Sequence, residues 1–186
     1  LEEADQHPDD PDSILALYAR TAIAKSFRVG PRNNFHPDAW NREHVWAKSH
    51  GFKSKNKDAH TDCHHLMAAD SSCNHDRGTR DFKEGGSYVS GCGTSKASGP
   101  KKTGTWEPST EAKGAVARAM FYVATRYEGS GNTPDLELID GNSEDKSNEF
   151  GYLSDLKKWH CESPVTAREC ARNTVVHSWQ GNRNPF

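Results

Sequence analysis

NREHVWAKS, residues 41–49, sets an arginine, a carboxylate and an imidazole side by side, and TDCHHLMAADSSCNHDRGTRDF, residues 61–82, follows after a lysine-bearing stretch. The first segment reads as a short strand ending in a loop that carries Lys48, Lys53, Lys55 and Lys57. From Phe27 to Asn41, Gly and Pro punctuate an irregular approach to it. In the second segment Thr61–Met67 fits another short strand, and Asp70 or Ser71 offers an N-cap for a helix running through Asn74 and Arg77. The local order is strand, loop, strand, helix.

Residue types in these segments match the needs of phosphodiester hydrolysis, which are an activated water, a cation to offset developing charge, and a guanidinium near the phosphate. His44 has the near-neutral pKa of a general base. Glu43 and the amide oxygen of Asn74 are hard ligands suited to Mg²⁺, which keeps several waters and needs few protein contacts. Arg77 follows Asn74 by three residues, so one helix face presents both, and a cation and an arginine can meet one phosphate. A plainer use of Arg77 is a pair with Asp81. Because adjacent strand residues point to opposite faces, Glu43 and His44 share a site only if the strand ends or bulges there, and it is expected to do so. Arg42, Lys48 and His65 are candidate substrate contacts; His64 and His65 alternate, so one can face the site and the other the core. Trp40 and Trp46 read as packing.

The 186-residue chain is sized for one domain, and its 33% hydrophobic and 27% charged composition suits a wet surface with extensive loops. No apolar run approaches the ~20 residues of a membrane span. A formal charge of −2 excludes capture of nucleic acid by bulk electrostatics and leaves such work to local patches. Asp12–Lys25 reads as a core helix, and Gly85–Gly104 as hairpin and loop. Thr110–Glu128 is the clearest helix, its apolar stripe closed by Gly129. Leu153–His160 is a shorter helix, and Thr166 with Glu169 forms a capping box before another to about Gln180. The first eleven residues are expected to be a flexible acidic segment. The chain opens on Leu1 and reads as a processed or trimmed form whose export signal has gone.

The five cysteines form no CxxC pair, so disulfides are the better reading and export is the implied destination. Cys161 with Cys170 makes the easiest bridge and Cys73 with Cys92 the second, although sequence leaves every pairing open.

WNREHVWAKSHGF, AHTDCHHLMAADSSCNHDRGTRDF, KGAVARAMFYVATRY and RECARNTVVHSWQGNRNPF, in that order, resemble the bacterial endonuclease I family of periplasmic and secreted nucleases, within the ββα-metal (His-metal finger) superfamily. The similarity runs from Trp40 to Phe186. It implies an α+β, mostly helical single domain over residues 1–186, built around a ββα-metal motif at about 40–82. It further implies a nonspecific Mg²⁺-dependent nuclease acting on DNA and often RNA through the backbone, leaving 5′-phosphate ends, with Ca²⁺ or Mn²⁺ able to substitute. A secreted or periplasmic monomer without membrane contact is expected. His44 matches the general base, and Glu43 and Asn74 the metal ligands. Arg77 is assigned the phosphate contact, with Arg42 as its rival. The family pattern has Pro at Ala47, Leu at Cys63 and Val at Cys73, so this branch is expected to have its own sulfur chemistry. The rival readings are a zinc-binding module using Cys63, His64, His65, Cys73 and His75, and a secreted nucleic-acid binder without catalysis.

Overall fold

The structure, a computed structural model, describes residues 1–30, 36–131 and 133–186. Part of the irregular approach at 27–41 therefore lies outside the described residues. Three N-terminal strands, β1 (Gln6–His7), β2 (Asp10–Leu15) and β3 (Ala22–Ala24), form one antiparallel sheet. The strand pair β4 (Trp40–His44) and β5 (Leu66–Asp70) is followed at once by helix α1 (Ser71–Arg77). Next come β6 (Asp81–Phe82), β7 (Ser87–Tyr88), β8 (Lys96–Ser98) and β9 (Thr105–Glu107), in a sheet of order β6-β9-β8-β7. Helix α2 (Lys113–Arg126), the parallel pair β10 (Glu137–Leu138) and β11 (Glu149–Phe150), and helices α3 (Leu153–Glu162) and α4 (Ala167–Gln180) complete the chain.

The domain is α+β but not mostly helical. Its four α-helices hold 7, 14, 10 and 14 residues, and short strands and irregular segments carry the rest of the described chain. The largest departure lies at Asp12–Lys25. Instead of a helix, β2 and β3 pair with Ser13 opposite Ala24 and Leu15 opposite Ala22, and Arg20 sits at φ 58° between them. Residues from Ser13 to Ala19 are all buried, so no exposed face existed to reveal the strand period. The first residues are likewise built into the fold rather than free. Asp5 is 2% exposed, accepts the Ala68 amide at 2.8 Å and pairs with Arg172 at 2.7 Å.

The second strand lies later than Thr61–Met67. Asp62 explains this: its carboxylate accepts the His64 amide and the hydroxyls of Tyr122 and Tyr127, each within 2.9 Å, which holds residues 61–65 as a turn. The C-terminal helix behaves as read, with the Thr166–Glu169 capping box formed and Gly181 at φ 82° ending it. The main core gathers Trp46, Phe82, Trp106, Met120, Val123, Phe150 and Trp159. Trp40 belongs to a second cluster with Ile14 and Ile23. No helix among the described residues is long and apolar enough to cross a membrane.

Cys73 and Cys92 are bridged, with Cα atoms 5.5 Å apart and 19 residues of separation, a loop for which cross-linking contributes about 3 kcal/mol. Cys161 and Cys170 are not bridged; both are free and exposed. The link between α3 and α4 is held by other means. Arg118 donates to the Ser163 carbonyl at 2.8 Å and grips Glu169 at 2.8 and 2.9 Å.

Candidate active site

The strand pair sets the site. β4 and β5 run antiparallel with Asn41 opposite Ala69, Glu43 opposite Met67 and His44 opposite Leu66. Asp70 caps α1, its Oδ1 accepting the amides of Ser72 at 2.9 Å and Cys73 at 3.1 Å, so the helix starts at the end of β5 and packs back on both strands. Gly78, at φ 62°, ends it directly after Arg77.

This return brings Asn74 to β4. Its Nδ2 donates to Asn41 Oδ1 at 2.7 Å and to the Arg42 carbonyl at 3.2 Å, while Asn41 Nδ2 donates to Ser71 Oγ at 2.8 Å. The amide is thereby oriented, and its Oδ1 takes no hydrogen bond from any described residue. Asn41 escaped the sequence reading, although its position two before Glu43 puts it on the same strand face.

Glu43 is 2% exposed, and burial raises its pKa even though Arg77 opposes the shift. The Tyr18 hydroxyl at 2.7 Å and Arg77 Nη1 at 3.3 Å both meet Oε1, so neither occupies Oε2. The donor set offered by Glu43 and Asn74 is made of hard oxygens and fits a Mg²⁺-type cation, which keeps most of its waters.

Arg77 itself is 1% exposed. Nη1 also donates to the His44 carbonyl at 3.2 Å and Nη2 to the Val45 carbonyl at 2.7 Å, with the guanidinium 4.7 Å from the Phe82 ring centroid. It lies beneath the strand. Nor does it pair with Asp81, which instead accepts the amide and hydroxyl of Ser143 at 2.6 and 2.7 Å.

His44 ends β4, as expected, but without a bulge in the register, and its ring meets a different set of groups from Glu43. Its Nε2 lies 3.0 Å from the His60 carbonyl, and the rings of His60 and His65 lie 5.0 and 5.8 Å away. A carbonyl can only accept, so this bond places the proton on Nε2 and leaves Nδ1 as the free base. Burial drives the pKa down to about 3, with further lowering from His65, His60 and Lys48. The ring is neutral throughout the physiological range.

His65 has no exposed surface, and its Nε2 lies 2.6 Å from the Ala59 carbonyl; it backs His44 rather than facing a substrate. Arg42 and Lys48 are exposed near His44. His60, which no motif marked, combines the anchoring carbonyl with a ring whose pKa is lowered by partial burial and by Lys48, Lys55 and Arg42. The soft ligands of the zinc reading are dispersed. Cys73 is in the disulfide, His64 Nε2 lies 3.1 Å from the Asn182 carbonyl, and no described group of three or more His, Cys, Asp or Glu residues could hold a metal.

The family model for endonuclease I matches residues 2–186. The chain belongs to the endonuclease I family. Within that family it is 43% identical over 188 residues to an extracellular ribonuclease of Bacillus amyloliquefaciens and 41% identical over 188 residues to one of Bacillus subtilis (strain 168). All of this chain is covered in both matches, and it spans 62% of the length of each relative.

The buried histidines make this endonuclease I domain sensitive to acid. His50, His64 and His65 each have a pKa lowered from 6.5, with burial the largest cause. The unfolded chain takes up protons near pH 6.5 that the native state refuses, so the stability these histidines contribute is full above that pH and is lost as the pH falls below it. Glu43, raised by burial, has the opposite sign but stands alone against these three and against His44 and His60, whose pKa values burial also lowers. Urea midpoints should therefore drop between pH 7 and pH 5; a flat profile across that interval would contradict the assignment.

Proposed function

We propose that the chain is a secreted nuclease that hydrolyses phosphodiester bonds in RNA and DNA to 5′-phosphate ends, with β4, β5 and α1 as a ββα-metal core. The observation that carries this reading is the His44–His60 bond, which fixes a neutral imidazole, its Nδ1 bonded to no described residue, at the end of the strand that bears Glu43. The names of the two Bacillus relatives support RNA as a substrate and an extracellular location.

Nδ1 of His44 takes a proton from a water, which attacks phosphorus in line with the leaving 3′ oxygen. Glu43 and Asn74 would hold a Mg²⁺ ion, which Ca²⁺ or Mn²⁺ could replace and which supplies charge stabilisation at the phosphate and leaving oxygen. Arg42 and Lys48 meet the flanking backbone, so base preference is weak. Arg77, enclosed by carbonyls and Glu43, positions the strand end and does not touch the phosphate. The scheme needs one copy of the chain, and a monomer is the expected state.

Digestion of plasmid DNA and of RNA with Mg²⁺, Ca²⁺, Mn²⁺ or EDTA tests the reading. Cation-dependent cleavage to 5′-phosphate ends is expected. Cleavage of RNA to 2′,3′-cyclic phosphates, or undiminished cleavage in EDTA, would overturn it.

A further inference from the structure

One tryptophan stands apart from the other four. Trp40, Trp46, Trp106 and Trp159 are each 0% exposed, whereas Trp179, on the last turn of α4, is 78% exposed. Such exposure of a large aromatic surface has a cost, and single-stranded nucleic acids are bound on surfaces of this kind. Its ring is oriented by one edge bond, Nε1 donating to Glu3 Oε2 at 3.2 Å.

The position of the ring is informative. It lines two hollows of about 570 and 490 Å³, as do Thr61 and Cys63. Thr61 directly follows His60, whose carbonyl anchors His44, so this surface adjoins the proposed base. Arg126 lines the first hollow and Arg42 the second. Both are exposed, and neither guanidinium makes an ion pair with any described residue; Arg126 only lies 5.3 Å from the Tyr127 ring centroid. Of the nearby acids, Glu2 pairs with Arg28 at 3.4 Å, Glu3 holds the indole and Asp62 accepts the hydroxyls of Tyr122 and Tyr127, while Asp58, which lines the first hollow with Arg126, is exposed.

An aromatic plane with an unpaired cation in each of the two hollows it lines matches a base flanked by two phosphates. We propose that Trp179 stacks an unpaired base of the substrate, with Arg42 and Arg126 meeting the phosphates on either side, so that single-stranded nucleic acid is the preferred substrate. A duplex, whose bases are already stacked and paired, gains nothing from this plane. The inference rests on the nuclease reading above.

Trp179→Ala and Trp179→Phe should be compared with the parent on single-stranded and duplex substrates of one sequence. Trp179→Ala is expected to raise KM on the single strand about tenfold or more, with kcat and duplex KM little changed, and Trp179→Phe to recover most of the loss. Because the other tryptophans are buried, quenching of the iodide-accessible emission of the parent by a single-stranded phosphorothioate oligonucleotide reads the same contact without turnover. Unquenched emission, or a single-strand KM unmoved in Trp179→Ala, would overturn the proposal. A parent that cleaves no nucleic acid with any cation would instead overturn the nuclease reading.

Discussion

Replacing His44 with alanine should lower kcat by about 10²–10⁴-fold, the range supplied by a positioned general base. KM should hardly move, because Arg42 and Lys48 remain. The fold should persist: His44 contributes one bond to the His60 carbonyl, an edge contact with the His60 ring and tilted ring contacts with His65 and Phe52, while the pairing of β4 with β5 is made by the backbone. The parent rate should also show no acid limb from this group near pH 6.5, since burial keeps the ring neutral down to about 3. Turnover of His44→Ala close to that of the parent would remove the base from the mechanism.

Arg77→Met should destabilise the domain by about 3–5 kcal/mol, the cost of stranding one partner of a buried ion pair. The side chain is 1% exposed and Glu43 only 3%, so water cannot replace the guanidinium. The carbonyls of His44, Val45 and Gly78 also lose a donor, and the methionine chain only partly replaces the packing on Phe82 and Phe150. With the opposing positive charge gone, burial raises the Glu43 pKa further. Pairing Arg77→Met with Glu43→Gln should restore part of the loss by removing the stranded charge. A urea denaturation midpoint for Arg77→Met within error of the parent would show that the pair carries no such weight.

Local order near the site was legible because each step had a chemical marker. Asp70 at the helix start and the Thr166–Glu169 box act through bonds between near neighbours, which spacing reveals. The Asp12–Lys25 hairpin was not legible, since a run buried on every side carries no period. Thr61–Met67 was misplaced for another reason: the turn is held by Tyr122, Tyr127 and Gln180, more than fifty residues away in sequence. Glu43, His44 and Asn74 could be picked out as reactive types, but not the Asn41 clamp or the His60 carbonyl, which depend on tertiary contact. Arg77 shows the limit most clearly. Three residues from Asn74, it shares a helix face in projection, yet it turns under the strand because Glu43 and two carbonyls await it there.

The bridge from Cys73 to Cys92 begins one residue before Asn74 and closes a ring that contains Arg77 and the glycine-rich Gly85–Gly91 stretch. A protease that nicked the backbone inside this ring could not release the severed arm. Sulfur would still hold the two ends together, leaving the asparagine tethered in the one place where a broken chain would otherwise drift apart.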